Sequence, residues 1–169
     1  GLDLKWVLET HAHADHLSAG DYIRGKTRAK LVIGAHIRTV QTLFGGVFEV
    51  EAGAEVEAFD RLIEEGETLP LGDLSINVLH TPGHTPACVT YLIGDAAFVG
   101  DTLFMPDYGT ARADFPGGDA KALYLSIRRI LDLPPETRLF TGHDYLPESR
   151  AAFAWESSVA EQRANNIHI

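Results

Sequence analysis

Residues 10–16, Thr-His-Ala-His-Ala-Asp-His, constrain this chain more than any other stretch. They place four side chains that can bind a metal, His11, His13, Asp15 and His16, within six residues. The apolar run at residues 6–8 precedes them, so we expect a strand to deliver the motif into a loop where several side chains converge. In an extended or turning segment His11 and His13 point to one side, while Asp15 and His16 can reach a second position nearby.

This motif favours a metal site over a solvated loop. Imidazoles suit zinc or iron, and an added carboxylate suits harder divalent ions or a site that keeps an open position. The other interpretation is a His-rich surface loop or the remnant of a tag. His-rich tracts of that kind are usually uniform runs, whereas this motif alternates its histidines with alanine.

Three further residues that can bind a metal each follow an apolar run. His84 follows residues 76–79, Asp101 follows residues 97–99, and His143 follows Leu139 and Phe140. Distant segments of a chain can meet where strands end and loops begin. We therefore expect these three side chains to gather with the first motif.

In this order, the motifs resemble those of the metallo-β-lactamase superfamily. The four blocks are His-x-His-x-Asp-His from His11, Thr-Pro-Gly-His-Thr from Thr81, Gly-Asp-Thr-Leu-Phe from Gly100 and Gly-His-Asp from Gly142. The resemblance covers nearly the whole chain and implies an α/β fold, the four-layer αβ/βα sandwich of that superfamily. Because that fold usually has more strands before the His motif, we expect a single domain over residues 1–169 that is N-terminally shortened and lacks part of its first strands.

Composition limits the partners. A length of 169 residues, with 45% hydrophobic and 22% charged residues, fits one globular domain. The formal charge of −10 repels phosphate backbones and anionic membranes, so we expect neither as a partner and disfavour the nucleases of the superfamily. The sequence shows no apolar run long enough to span a membrane and no signal-peptide pattern. The lone Cys88 excludes an internal disulfide framework and fits the cytoplasm.

Periodicity and turn residues predict alternating elements. We expect strands over 4–8, 30–34 and 137–141 and hairpins over 67–79 and 89–99. We expect helices over 17–23, over 36–43 with Gly45 and Gly46 closing it, from Asp119 onward, and over 148–165 with Phe153 and Val159 inward. Residues 47–60 and 105–118 are predicted loops. The first of these either lines the approach to the site or is a plain solvated insertion.

Under the resemblance, two metal arrangements stay open. In the dinuclear zinc hydrolases of the superfamily, one Zn(II) would bind His11, His13 and His84, a second would bind Asp15, His16 and His143, and Asp101 would lie between. A bridging water with a pKa of about 7 would attack a thioester, lactone or amide carbonyl.

In the persulfide dioxygenase branch, a single Fe(II) would bind His11, His84 and Asp101. Three positions would stay open for O2 and the substrate sulfur. The other four residues, His13, Asp15, His16 and His143, would orient ligands and water. Of these, Asp15 and His143 are the candidate catalytic residues.

The loop after Asp101 favours the dioxygenase branch. Residues 107–115, with Arg112-Ala113-Asp114-Phe115, are similar to the Arg-Thr-Asp-Phe segment of persulfide dioxygenases. Glyoxalase II enzymes share the Gly and Arg of this loop, usually continue differently and carry a C-terminal helical domain, which this chain ends too early to contain. Arg112 is expected either to anchor a substrate carboxylate, with Tyr108 or Tyr145 donating a hydrogen bond, or to form a structural salt bridge to a nearby Asp. The candidates for that salt bridge are Asp107, Asp114 and Asp119.

We therefore expect an Fe(II) enzyme that oxidises a small thiol persulfide, glutathione persulfide above all, with O2 to sulfite and thiol. The alternative is a Zn(II) hydrolase of a thioester or lactone, similar to glyoxalase II. A third hypothesis, a non-catalytic metal-binding or sulfide-sensing module, is disfavoured because all seven ligand positions are filled. A homodimer is left open.

Overall fold

The structure is a computed structural model that describes residues 1–13, 18–48 and 59–169. Within these ranges the chain forms nine strands and four helices. The strands are β1 (Trp6–Glu9), β2 (Lys30–Gly34), β3 (Arg61–Ile63), β4 (Thr68–Leu71), β5 (Leu74–His80), β6 (Val89–Ile93), β7 (Ala96–Gly100), β8 (Arg138–Thr141) and β9 (Glu156–Ser158). The helices are α1 (Gly20–Lys26), α2 (Ile37–Phe48), α3 (Ala120–Leu131) and α4 (Val159–Asn165).

The strands form two sheets. β1, β2 and β3 make a three-stranded parallel sheet in that order. β4 to β9 make a six-stranded sheet in chain order, antiparallel except for the parallel pair β7 and β8, which α3 connects. Val32 of the small sheet packs with Ile76, Val78 and Tyr91 of the large one, so the sheets meet face to face over a shared apolar core.

Helices cover the outer faces of both sheets. Successive strand residues point to opposite faces, and Ile33, next to Val32, accordingly packs against Ile37 and Val40 of α2. On the large sheet, residues of α3 pack on Ala97, Val99 and Leu139. The result is the predicted four-layer αβ/βα sandwich. Among the described residues, no helix is long and apolar enough to cross a membrane.

Most of the predicted elements are present. Both hairpins form, and α3 begins where Asp119 was expected to cap it, because the Asp119 carboxylate accepts hydrogen bonds from Lys121 N and Ala122 N at 2.8 and 3.0 Å. Two expectations were incomplete. The glycine pair does not end α2, which runs to Phe48, since glycine weakens a helix interior without breaking it. The structure also contains β3, which was not predicted. Of the loop expected over 47–60, residues 47 and 48 belong to α2 instead, and residues 49–58 lie outside the described residues.

The predicted helix over 148–165 is wrong in its first half. The structure has an irregular segment, then β9 paired with β8, and a helix only from Val159. Asp144 gives the physical reason, because its carboxylate accepts the Ala154 N–H at 2.7 Å and binds the Arg150 guanidinium. Such bonds offer the backbone an alternative to helical pairing. Phe153, expected inward, is exposed, whereas Val159 is buried as expected.

Candidate metal centre

The residues expected to bind metal follow strands that end at the same edge of the large sheet. β5 and β7 both run antiparallel to β6, and β8 runs parallel to β7, so the carboxyl ends of β5, β7 and β8 share one edge. Asp101 directly follows β7, His143 comes two residues after the end of β8, and His84 comes four residues after the end of β5. His11 joins them from β1, because Thr10 O accepts a hydrogen bond from Val89 N at 3.0 Å.

The carboxylate of Asp101 lies at the centre of this group. Its Oδ2 is 3.6 Å from His11 Nε2, 3.6 Å from His84 Nε2 and 3.4 Å from His143 Nε2. For ligand bonds of about 2.1 Å, neighbouring ligand atoms of a tetrahedral site are about 3.4 Å apart. His11, His84 and Asp101 are all buried. This donor set therefore fits a divalent metal.

His13 adds a third imidazole on the same side. Ligand nitrogens of His11, His13 and His84 all lie within 4.8 Å of one another. The ring centroids of His13 and His84 are 4.5 Å apart. These three histidines therefore form a second combination of ligands, overlapping the first, whose geometry could hold a metal ion.

Hydrogen bonds at the Nδ1 atoms of His84 and His11 set the orientation of these two rings. His84 Nδ1 lies 2.8 Å from the carbonyl oxygen of Arg112, which can only accept, so Nδ1 carries the proton. His11 Nδ1 lies 3.1 Å from Thr10 Oγ1. In a neutral His84 ring the lone pair is then on Nε2, the atom that faces Asp101.

Gly142 allows the loop that carries His143 to approach Asp101 closely. A Cβ atom at position 142 would lie 2.5 Å from Asp101 Oδ1, so any other residue would force the buried Asp101 carboxylate to shift. The Gly142 N–H donates to Gly100 O at 2.8 Å, which extends the β7–β8 pairing into the site. The glycine of the Gly-His-Asp block is thus required by packing beside the carboxylate.

A cluster of charged groups holds the same loop from behind. The guanidinium of Arg150 binds both Asp107 and Asp144, with Nε to Asp107 Oδ2 at 2.6 Å and Nη1 to Asp144 Oδ2 at 2.8 Å. The hydrogen bond from Arg150 is the main reason that the pKa of Asp144 is lowered to about 2. His143 and Tyr145 flank Asp144, so this network positions both of them.

A pocket of about 500 Å³ opens over the candidate metal-binding residues. One wall is aromatic: Tyr108 stacks on Tyr145 at 4.6 Å between centroids, Tyr145 stacks on His143 at 5.5 Å, and Phe104 meets Tyr145 edge-on. Phe115 also lines the pocket, and its ring lies 4.7 Å from that of His13. The volume is typical of pockets for small molecules.

Arg112, one of the three expected substrate-binding residues, forms an ion pair in this structure. Its guanidinium binds both carboxylate oxygens of Asp114, with Nη2 to Oδ2 at 2.7 Å, and lies over the Phe115 ring. These bonds raise the pKa of Arg112 and lower that of Asp114. Of the carboxylates considered from the sequence, Asp114 is the partner, since Asp107 binds Arg150 and Asp119 caps α3. A role of Arg112 toward substrate stays a prediction.

The structure also brings residues to the pocket that the sequence did not suggest. Phe104, Thr110 and His168 line it together with the expected Tyr108, Arg112 and Tyr145. His168 is 58 positions from Thr110, its partner in space, so no local spacing connects the two. Asp15 and His16 lie outside the described residues, and their roles stay predictions.

Cys88 lies near the metal-binding residues but has no reactive character. Its thiol is buried and lies 3.1 Å from Thr85 Oγ1. Burial raises its pKa to about 11, and the nearby charge of Asp101 acts in the same direction. The thiol is therefore protonated at neutral pH.

These features define the class of the protein. Residues 1–143 match the family model of the metallo-β-lactamase superfamily, and the chain belongs to that superfamily.

Family membership and the histidine cluster together indicate a metal cofactor, and the donor set suits both iron and zinc.

Individual relatives carry different names. The chain is 51% identical to a probable metallo-hydrolase of Burkholderia pseudomallei, over 100% of this chain and 61% of the relative. It is 45% identical to glyoxylase B2 of Dictyostelium discoideum, over 99% of this chain and 59% of the relative. It is 34% identical to the human mitochondrial persulfide dioxygenase ETHE1, over 86% of this chain and 51% of the relative. The chain thus spans about half to three-fifths of these relatives.

A solved structure agrees with this assignment. The crystal structure of ETHE1 from Myxococcus xanthus superposes with a TM-score of 0.75 at 34% sequence identity. The match covers 98% of this chain and 63% of that one. The fold and its family are therefore shown over almost all of the chain.

Proposed function

We propose that this chain is the metal-binding domain of an iron persulfide dioxygenase. The proposal rests on one observation, that His11 Nε2 and His84 Nε2 are both 3.6 Å from the same carboxylate oxygen of Asp101. Two imidazoles and one carboxylate are the ligands that non-haem Fe(II) oxygenases use, because they leave positions for O2 and substrate. The similarity to the human and Myxococcus ETHE1 proteins supports this choice.

The reaction proposed converts a thiol persulfide, O2 and water into the thiol and sulfite. Written as RSS⁻ + O2 + H2O → RSH + SO3²⁻ + H⁺, it balances in atoms and charge. The ferrous ion, when bound, supplies the redox chemistry that joins both oxygen atoms of O2 to the terminal sulfur. Cys88 takes no part, since its buried thiol stays protonated at neutral pH.

The residues of the chain hold the metal ligands in place, orient the substrate and supply a proton to the product. His84 is held for metal binding by the Arg112 carbonyl, and His11 by Thr10. The stacked Tyr108 and Tyr145 rings give the substrate a flat wall with two phenol groups. His143, beside Tyr145, can donate a proton from Nε2 to the released thiolate, and Asp15 is the second proposed catalytic residue.

Arg112 is the proposed anchor for a carboxylate of the thiol carrier. Its guanidinium borders the pocket and is exposed together with its partner Asp114. Exposed ion pairs contribute little to stability, so exchanging Asp114 for a substrate carboxylate is inexpensive. The planar fork that binds Asp114 through two hydrogen bonds would bind the new carboxylate in the same way.

A dinuclear zinc hydrolase is the second candidate. It is favoured by the 3.4 Å distance from His143 Nε2 to the same Asp101 oxygen, because a carboxylate with imidazoles on both sides can bridge two metals. The third imidazole, His13, would then bind the first metal with His11 and His84. The similarity to glyoxylase B2 supports this alternative.

Metal content and O2 consumption discriminate between the two candidates. The protein is prepared with iron and, separately, with zinc, and each form is given glutathione persulfide and a glutathione thioester. One iron per chain and O2 uptake with the persulfide support the dioxygenase. Two zinc ions per chain, no O2 uptake and turnover of the thioester would replace it with the hydrolase. His36→Ala, at an exposed histidine outside the pocket lining, is the control for His84→Ala, which should lose the iron.

A further inference from the structure

The loop between β5 and β6 carries His84, and α3 holds the first half of this loop. Ser126 Oγ of α3 donates to Pro82 O at 2.7 Å. Gly83 has φ +134°, and a Cβ atom there would collide with the backbone of Leu123 in the same helix. The residues that lead into His84 are therefore fixed by direct contact with α3.

The second half of the loop is held by His80, the last residue of β5. His80 Nε2 lies 2.8 Å from the carbonyl oxygen of Pro86. This oxygen can only accept, so Nε2 carries the proton and donates. Beside it, Thr81 N donates to Cys88 O at 2.9 Å. The bond from His80 closes the loop around His84, because its two ends lie four residues before and two residues after that histidine.

His80 is itself held at its backbone and at its ring. Its N–H donates to Glu65 Oε2 at 2.9 Å, and Arg129 Nη1 of α3 donates to the same oxygen at 2.8 Å. His36, the residue before α2, stacks on the imidazole, with ring centroids 4.1 Å apart and an angle of 9° between the ring planes. The donor nitrogen of His80 is thus held toward Pro86 before any metal binds.

His80 lies outside the metal pocket. It is not among the residues that line this pocket, and the histidines whose ligand nitrogens converge are His11, His13 and His84. His80 can therefore influence a bound metal only through the loop that carries His84. Groups that orient metal ligands in this indirect way commonly set the affinity of a site.

We propose that His80 is a positioning residue of the metal centre. Its hydrogen bond to Pro86 holds the loop in the conformation that places His84 Nε2 close to Asp101 Oδ2. This role rests on the proposed function only in taking His84 as a metal ligand. It holds equally for iron and for zinc, because both candidate sites use His84. The protein is then arranged for its metal in advance, and binding does not have to order the loop.

The affinity for Co(II), measured by competition between the cobalt-loaded protein and a chelator, tests this role. Cobalt binds the same kinds of nitrogen and oxygen ligands as iron and zinc, and its visible absorption spectrum responds to their positions. His80→Phe keeps an aromatic ring beside His36 but removes the donor. It should lower the affinity about tenfold, the lower end of the range of about 10- to 100-fold for groups that orient metal ligands, and should alter the spectrum.

Two variants that keep a donor toward Pro86 are the controls. His80→Gln carries an amide N–H in place of the ring N–H and should restore the affinity to within about threefold of wild type. His36→Ala removes the exposed stacking ring but leaves the His80 donor, so it should keep its metal with an affinity in the same range. A pure packing role of the His80 ring would give the opposite order, with His80→Phe harmless and His80→Gln damaging, and would overturn the inference.

The wild-type protein provides a check that does not depend on how a variant folds. In alkaline solution, where imidazoles are neutral, nitrogen NMR should find the His80 ring protonated on Nε2, the atom that donates to Pro86. A neutral ring with its proton on Nδ1 would contradict the proposed hydrogen bond and with it the positioning role.

Metal affinity and turnover separate this inference from the proposed function. If the wild type consumes no O2 but His80→Phe loses affinity for Co(II) and His80→Gln restores it, the positioning role stands and the reaction is a different one. If O2 uptake is normal and His80→Phe binds Co(II) as tightly as wild type, the dioxygenase proposal stands and His80 does not position the metal centre.

Discussion

The floor and the rim of the metal pocket are built in different ways. The floor, His11, His84 and Asp101, is buried, and each residue lies within four positions of the end of a strand. The rim, Tyr108, Arg112, Tyr145 and His168, is largely exposed and comes from loops and the last residues of the chain. Sheet geometry thus fixes the floor, whereas contacts between distant side chains fix the rim. Substitutions should accordingly cost most at the floor and least at the rim.

The largest effect is expected from Asp101→Ala. Residues that merely orient metal ligands already cost about 10- to 100-fold when they are replaced. Removal of the central carboxylate should therefore lower activity by more than about 100-fold and leave the protein without bound metal. Elemental analysis and turnover, measured on the same preparation, check this. Full metal content in Asp101→Ala would show that Asp101 is not a required metal ligand.

His13→Ala, a substitution beside the floor of the pocket, separates the two candidate functions. In a mononuclear iron site on His11, His84 and Asp101, the metal stays bound and turnover falls. In a dinuclear zinc site, His13 is a ligand, so the variant should lose about one metal per chain. Metal stoichiometry by elemental analysis is the readout, with the exposed His36→Ala as control.

The next largest effect is expected at Asp144, which positions His143 and Tyr145, and it concerns the stability of the fold. Its pKa is lowered to about 2 by Arg150, so the ionised carboxylate stabilises the folded state. That contribution is present above the unfolded pKa of about 3.9 and is lost as the pH falls through about 2, and we expect it to be about 1–2 kcal/mol at neutral pH. Asp144→Asn should lower the free energy of unfolding at pH 7.

The pH dependence is the sharper part of that test. Denaturant unfolding at pH 7 and at several values below pH 4 should show the difference between Asp144→Asn and wild type shrinking with acid. Asp73→Asn, in the exposed turn between β4 and β5, removes the same charge and should change little. A difference that is constant from pH 7 to pH 2 would contradict the role given to the Asp144 charge.

Gly109→Ala tests whether backbone shape holds the rim together. The new Cβ would collide with the His168 ring and would sit at φ +97°, which side chains rarely adopt. We expect a loss of about 1–3 kcal/mol in the free energy of unfolding and an increase in KM, because the displaced His168 ring lines the metal pocket. Gly66→Ala is the matched control, since it has φ +78° but no atom within 4 Å of its Cβ. It should show the backbone cost without the change in KM.

The smallest effects are expected from the exposed pair of Arg112 and Asp114. Arg112→Gln should raise KM about two- to threefold, because one exposed charged contact with the substrate is lost. Asp114→Asn should lower KM slightly, since it releases the guanidinium for the substrate. If both variants raise KM equally, the ion pair itself shapes the pocket and Arg112 is not the anchor.

The same contrast explains how far the sequence could predict the structure. The four-layer fold was implied by the resemblance of the motifs to the metallo-β-lactamase superfamily. The gathering of His11, His84, Asp101 and His143 was predicted from apolar runs that end shortly before residues able to bind a metal, because side chains meet where strands end. The Asp119 cap followed from a local rule as well. These features depend on neighbours in the sequence.

The missed features depend on neighbours in space. Residues 148–155 were expected to be helical from their composition, but Asp144 and Arg150 pair there with the backbone and with Asp107. His168 was missed because its partners, Gly109 and Thr110, are far away in the chain and carry no distinguishing pattern. The choice of Asp114 among three carboxylates for Arg112 was likewise decided by packing alone.

The chain order of the metal-binding residues has a consequence for biogenesis. His11 lies in the loop after β1, and His143 lies in the loop after β8. A nascent or partly folded chain therefore offers a metal only the local group at residues 11–16, and high-affinity loading must wait until His84, Asp101 and His143 have been brought to it. Metal uptake would then report completed folding, and scarcity of the ion would leave a pool of the protein more exposed to proteolysis.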